Sequence, residues 1–213
     1  MDDIYRHQRY IYDFTRKFYL FGRDDLIRGL ALRPGESVVE VGCGTGRNLV
    51  KMARRYPHAK ILGLDASSEM LKTARSAIAR AGLANRVQLV HGFAEELSPG
   101  FFQGCPRFDH VVFSYSLSMI PHWQQALRRA AEVCDGGQIH IADFGGLNDV
   151  WVPVARLMRL WLSLFHVTPR EEILQKLRSW DLQGEPGTVP RILPARYAFI
   201  WQGPSRTVQS LAL

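Results

Sequence analysis

Residues 38–48 read Val-Val-Glu-Val-Gly-Cys-Gly-Thr-Gly-Arg-Asn, a β-branched run that ends in an acid and then places glycine at three alternate positions. Val38, Val39 and Val41 suit a strand buried on both faces, as in a parallel sheet. Gly42, Gly44 and Gly46 supply a turn where backbone can approach a ligand with no Cβ in the way. The position that would complete Gly-x-Gly-x-x-Gly is Arg47. A dinucleotide fingerprint uses that glycine for close helix packing and sets a pyrophosphate on the helix N-terminus. A ligand without phosphates fits this turn better.

Downstream, Lys60-Ile-Leu-Gly-Leu-Asp65 reads as another buried strand ending in an acid, placed to hold ribose hydroxyls. Strand-like runs at 37–41, 60–64, 87–91, 109–114 and 138–143 alternate with helical stretches near 46–56, 67–82 and 122–134. This βαβ rhythm predicts a mostly parallel sheet. Tyr197 to Trp201 reads as a final strand reached by a different route, and proline and glycine at 184–194 leave a sixth strand hard to place. With 213 residues, 46% of them hydrophobic, the chain is long enough for one sizeable core and short for two. A single domain over 1–213 is expected, with no internal repeat or low-complexity tract.

These motifs resemble the class I S-adenosylmethionine (SAM) dependent methyltransferases, whose first motif is a hydrophobic pair, an acid and then x-Gly-x-Gly-x-Gly. The resemblance implies an α/β, Rossmann-like fold with a seven-stranded, mostly parallel sheet in the order 3-2-1-4-5-7-6. Helices would cover both faces, with an N-terminal helical lid over 1–30. It implies SAM as cofactor, leaving as S-adenosylhomocysteine. Glu40 would order the loop. Gly42, Cys43, Gly44, Thr45 and Gly46 would border the methionine part with Asn48 close by, and Asp65 would bind the ribose beside Ala66 and Met70. Strand three is followed by Gly92-Phe93-Ala94-Glu95, where relatives often carry Gly-Asp-Ala-Glu. Phe93 is therefore expected to pack near adenine and the Ala94 backbone to read its edge. Ser114, Tyr115 and Ser116 end strand four, near the sulfonium and the incoming nucleophile.

The N-terminus has no apolar signal segment, and Cys43, Cys105 and Cys134 show no metal or redox spacing. A cytoplasmic protein without metal is expected. Net charge is +7, and 22 of the 27 basic residues are arginine. That balance favours anionic surfaces, although scattered solvated charges would give it equally well. No aromatic and basic nucleic-acid module is visible. The sequence does not indicate an oligomeric state.

Two flanking segments say more than the net charge. In 4–23, Ile11, Phe14, Phe18 and Phe21 recur at helical spacing beside a heptad row of Tyr5, Tyr12 and Tyr19. The stripe suits core packing or a lid over the cofactor. In 150–167, Arg156, Arg159, Ser163 and His166 share one line of a helix otherwise covered by tryptophan and aliphatics. Two arginines disfavour a spanning helix. A helix in the membrane interface and a helix capping the substrate pocket both fit. This segment belongs to a helical insertion expected over 150–182.

Tyr5 to Asp24, followed by Val38 to Asn48, also resembles the bacterial diacylglyceryl-homoserine N-methyltransferases of betaine-lipid synthesis. The similarity extends through Phe165 to Arg170 and Arg196 to Ala198. It implies successive methylation of a headgroup amine at an anionic membrane surface by a peripheral, cytoplasmic enzyme. Phosphatidylethanolamine is the near alternative. A soluble small-metabolite methyltransferase and a SAM-binding protein without turnover are the others. Methyl transfer to an amine needs an unprotonated nucleophile in line with the methyl–sulfur bond. Tyr12, Tyr115, His122 and Asp143 are candidates for amine contact or proton removal, Asp143 being the best-placed carboxylate at a strand tip. Tyr5 and Tyr19 line the expected acceptor side. Arg16, Arg23 and Arg159 are forks for the acceptor carboxylate, or for that of SAM.

Overall fold

The computed structural model describes residues 22–145, 156, 170–181, 189–193 and 198–209. The strands are β1 (Ser37–Val41), β2 (Lys60–Asp65), β3 (Val87–His91), β4 (His110–Ser114), β5 (Gln138–Phe144), β6 (Arg191–Ile192) and β7 (Ala198–Pro204). They form one seven-stranded sheet in the order β3-β2-β1-β4-β5-β7-β6, as the family resemblance implied. The first five strands pair in parallel, and β7 runs antiparallel to β5 and β6. Pro190 and Pro194 bracket β6. Proline cannot donate to a ladder, so this edge strand stays short and left little periodicity to read.

Both sheet faces are covered, which is why every position of β1 is buried. On one face α1 (Arg23–Gly29), α2 (Arg47–Arg55) and α3 (Ser68–Arg80) bring Ile27, Leu49, Met52 and Ala74 against Val38, Ile61 and Val112. On the other, α4 (Trp123–Val133), α5 (Glu171–Asp181) and α6 (Ser205–Gln209) bring Leu127, Leu177 and Val208 against Val41, Leu62 and Phe113.

The flanking expectations divide here. Residues 1–21 lie outside the described residues, but α1 is no movable lid, because Leu26, Ile27 and Leu30 sit in the core. Asp24 pairs with Lys51, and Asp25 pairs with Arg28 and Arg191. Of the expected 150–182 insertion, α5 packs on the sheet through Ile173, Leu174 and Leu177. Arg156 is helical and exposed, and the rest of 150–167 lies outside the described residues. Among the described residues no helix is long and apolar enough to cross a membrane.

A buried pair at the amino end of β4 escaped the sequence reading. His110 Nδ1 lies 2.9 Å from His140 Nε2 on β5, with the rings stacked, and His110 Nε2 lies 3.3 Å from Glu36. Burial and the neighbouring His110 push the His140 imidazolium down to about 3. The unfolded chain thus binds a proton below about pH 6.5 that the folded chain refuses, so this histidine's stabilisation is complete above that pH and is lost as pH falls. The slope is ~1.4 kcal/mol per pH unit. Asp143, pushed up to about 6 by burial, has the opposite sign below that pH. His140→Gln isolates the first effect: between pH 6.5 and 5, parental stability relative to the variant should fall by about 2 kcal/mol in urea titrations. Parallel pH curves would refute the assignment.

Candidate active site

A cavity of about 290 Å³ opens beyond the carboxyl ends of β1 to β4, at the low end of small-molecule sites. The chain runs from β1 towards β3 on one side and returns to β4 on the other, and this switch point is where α/β sheets place ligands. Gly42, Gly44, Asp65, Ala66, Ser67 and Met70 form one wall. Gly92, Phe93, Ala94 and Glu95 close the β3 side, with Phe93 51% exposed. Tyr115, Ser116 and Met119 to His122 form the β4 side.

Asp65 is held by the loop it serves. Its carboxylate accepts from the Gly44 amide at 2.7 Å and the Ser67 amide at 2.9 Å. A carboxylate has about four acceptor positions, more than these two amides use. The Gly42 and Cys43 amides donate to Leu64 O at 2.8 and 3.0 Å, which ties the turn to β2. Beneath it Asn48 Nδ2 donates to Glu40 Oε1 at 2.6 Å and to Ser114 Oγ at 3.1 Å. This buried link joins β1, α2 and β4 beneath the turn.

A smaller polar recess adjoins the turn, lined by Glu40, Cys43, Thr45 and Asn48 with Ser114, Arg23 and Arg47. Five expected cofactor residues, Glu40, Cys43, Thr45, Asn48 and Ser114, face this recess and not the main cavity. Arg23, one of the expected acceptor forks, is placed there too. Burial pushes the Cys43 thiol up, so it acts as an apolar filler. The three glycines also separate. A Cβ on Gly42 would come 2.6 Å from Ser116 Cβ, and one on Gly46 would come 3.0 Å from Ala74 Cβ. Gly46 therefore admits α3 against the turn and does not border the cavity.

Tyr115 adopts φ 58°, a left-handed conformation rare for a large residue. Such strain costs about 1–3 kcal/mol and persists where its surroundings enforce it. The Tyr115 amide donates to Ala142 O at 2.7 Å, its ring meets Phe144 edge-on at 4.8 Å, and the Arg23 guanidinium lies 5.9 Å from the ring centre. Asp143 does not line the cavity. It is wholly buried and accepts from the Ser118 amide at 3.0 Å and its neighbour Phe144's amide at 2.8 Å, so its carboxylate shapes the 117–119 turn. His122 precedes α4 but its side chain forms no cap bond, and it stands exposed at the cavity mouth.

Tyr5, Tyr12, Arg16, Tyr19 and Arg159 lie outside the described residues. Ser67, Glu95 and the Met119–Pro121 wall were missed, as was Arg170, whose Nη1 donates to Pro121 O at 3.5 Å. Ser67 carried a signal, since a serine opening a helical run caps it, and its hydroxyl accepts from the Met70 amide. Among the described residues no group of three or more His, Cys, Asp or Glu could hold a metal.

Residues 38–137 match the family model described as a methyltransferase domain, just under half of the chain. A demethylmenaquinone methyltransferase of Listeria monocytogenes serotype 4a is 33% identical over 129 residues, 60% of this chain and 52% of that protein. The chain thus spans about half the length of the curated relatives it matches. Among solved structures, the mitomycin 7-O-methyltransferase MmcR is similar with a TM-score of 0.66 and 16% identity, covering 93% of this chain and 58% of that one. The SAM-dependent methyltransferase SibL is similar with a TM-score of 0.63 and 22% identity, covering 94% and 57%. These two likenesses establish the fold. Residues 38–137 are accordingly similar to a methyltransferase domain, carried on the Rossmann-like methyltransferase fold, and this likeness and fold imply S-adenosylmethionine as cofactor.

Proposed function

We propose that the protein methylates the amine of a lipid headgroup, with diacylglyceryl-homoserine as acceptor and the trimethylated betaine lipid as product. The observation that carries this reading is the asymmetry of the cavity. One side is built from Asp65 and the glycine turn, while the β4 side offers Met119, Ile120 and Pro121 beside His122 and is mostly apolar. That side suits an acceptor with a polar reacting end and an apolar remainder. The resemblance over 5–24 and the charge of +7 support a peripheral position on an anionic, cytoplasmic membrane surface.

When bound, SAM supplies an electrophilic methyl on a sulfonium. The chain's task is then positional. Asp65 fixes the ribose through hydroxyls, and the constrained ring of Tyr115 bounds the β4 side. Together they would orient cofactor and amine for reaction, and such positioning supplies much of the acceleration. The apolar wall disfavours the charged ammonium and so favours the nucleophilic amine.

A second reading has its own support. The relatives at 33% identity are named demethylmenaquinone methyltransferases, and a quinone with an apolar tail would also suit this wall. Purified protein with methyl-labelled SAM should be offered liposomes containing diacylglyceryl-homoserine, phosphatidylethanolamine or reduced demethylmenaquinone. Label in the homoserine lipid, with co-sedimentation on anionic liposomes, is expected. Label confined to the quinone would move the assignment there, and none in any lipid would sink both readings.

A further inference from the structure

We propose that His122 and Arg170 form the acceptor subsite, the imidazole taking the proton from the acceptor's ammonium and the guanidinium pairing with an acidic group on the same molecule. The inference rests on the amine-methylation reading and adds the residues that perform it.

The argument begins with the titratable groups that face the cavity, which are Asp65, Glu95, Tyr115 and His122. Asp65 is committed to the Gly44 and Ser67 amides and belongs to the ribose end. Glu95 stands across the cavity on the β3 side, beside Phe93. The Tyr115 phenol is a poor proton acceptor at neutral pH. Asp143 lies outside the lining and is turned to the Ser118 amide. His122 is left, and imidazole is the side chain suited to exchanging protons near neutrality. Among the described residues its ring makes no hydrogen bond, and its exposure lets the proton pass to solvent.

Arg170, which is not itself a lining residue of the cavity, is brought to the outer side of its Pro121 wall by a different element. It precedes α5, 48 positions along the chain from His122, yet its Nη1 meets the carbonyl of Pro121, the residue before His122. One contact leaves the rest of the guanidinium fork available, and among the described residues it meets no carboxylate. A cation fixed beside the proton acceptor and an apolar wall selects an amphiphile with an amine and a neighbouring acid.

The step balances. The ammonium N–H bond breaks and its proton goes to the His122 imidazole. The amine lone pair then forms the N–C bond as the C–S bond breaks, and sulfur keeps that pair as the neutral thioether. The imidazolium releases its proton through the open mouth before the next transfer.

The test compares the parent with His122→Gln and Arg170→Met, using diacylglyceryl-homoserine and its carboxyl methyl ester in mixed micelles. His122→Gln should lower kcat at pH 7 by roughly 100-fold and recover most of it above pH 9.5, where the ammonium loses its proton without help. Arg170→Met should raise KM for the acid by roughly tenfold or more and abolish the preference over the ester, with Arg170→Lys recovering part of it. SAM affinity by calorimetry should be unchanged in all three, because Asp65 and the glycine turn are intact. Acceptor binding to the protein loaded with S-adenosylhomocysteine is measured separately. If the parent binds the acid without turning it over, methylation fails as a reading while loss of binding in Arg170→Met still upholds the anion contact. Equal binding of acid and ester by the parent, or a parental pH profile in His122→Gln, overturns the subsite.

Discussion

Replacing Asp65 with alanine should weaken SAM binding by roughly 30- to 1000-fold while leaving the sheet intact. Two losses combine. The ribose hydroxyls lose a charged acceptor, and hydrogen bonds to charged groups are worth about 1.5–3 kcal/mol each. The Gly44 and Ser67 amides, now donating to this carboxylate at 2.7 and 2.9 Å, lose their partner as well. The free loop can turn those amides towards water, so their loss costs order in the turn more than global stability. An effect of ~2–4 kcal/mol on binding follows, with a smaller one on melting. Asp65→Asn should be no gentler, because its NH2 group must face one of the two amide donors. Calorimetry with SAM, paired with thermal melts, decides the matter. Unchanged affinity in a folded Asp65→Ala protein would remove Asp65 from the site.

The same residue shows how far the sequence can be read. An acid at the tip of a buried strand, downstream of a glycine turn, has one topological meaning in a doubly wound sheet, so its place at the cavity followed from pattern alone. The strands were legible for the same reason. Val38, Val39 and Val41 are uninterrupted because both faces of β1 are covered. Asp143 was misjudged because it has the same signature at the tip of β5. Whether such a carboxylate faces the ligand or turns back onto the Ser118 amide depends on the 117–119 turn, which carries no sequence motif. His110, His140 and Arg170 were invisible for a related reason. The pairing of β4 with β5 joins the two histidines, and a long excursion returns Arg170 to Pro121. Spacing along the chain encodes neither meeting.

The glycine turn offers the sharpest separation of folding from binding, because its three glycines are needed for different reasons. Gly46 precedes α2 at φ 77°, and any Cβ there would lie 3.0 Å from Ala74 Cβ and 3.3 Å from Ala74 Cα on α3. Gly46→Val therefore combines a left-handed branched residue, about 1–2 kcal/mol, with overpacking of the α2–α3 contact, about 1–3 kcal/mol. A total of ~2–5 kcal/mol is a large share of a domain's usual margin and should lower Tm by roughly 5–15 °C. Gly44 has φ 55° and lines the cavity. Valine there incurs the left-handed conformational cost, so Gly44→Val should melt within roughly 6 °C of the parent. Its branched side chain would nevertheless occupy the ligand's space, and SAM binding should fall more than 100-fold, beyond what loss of one hydrogen bond could cause. Scanning calorimetry on the two variants and SAM titration of the folded one resolve the pattern. If Gly46→Val melts like the parent, α3 does not press on the turn. If Gly44→Val is folded and binds SAM normally, the cofactor does not lie against this loop.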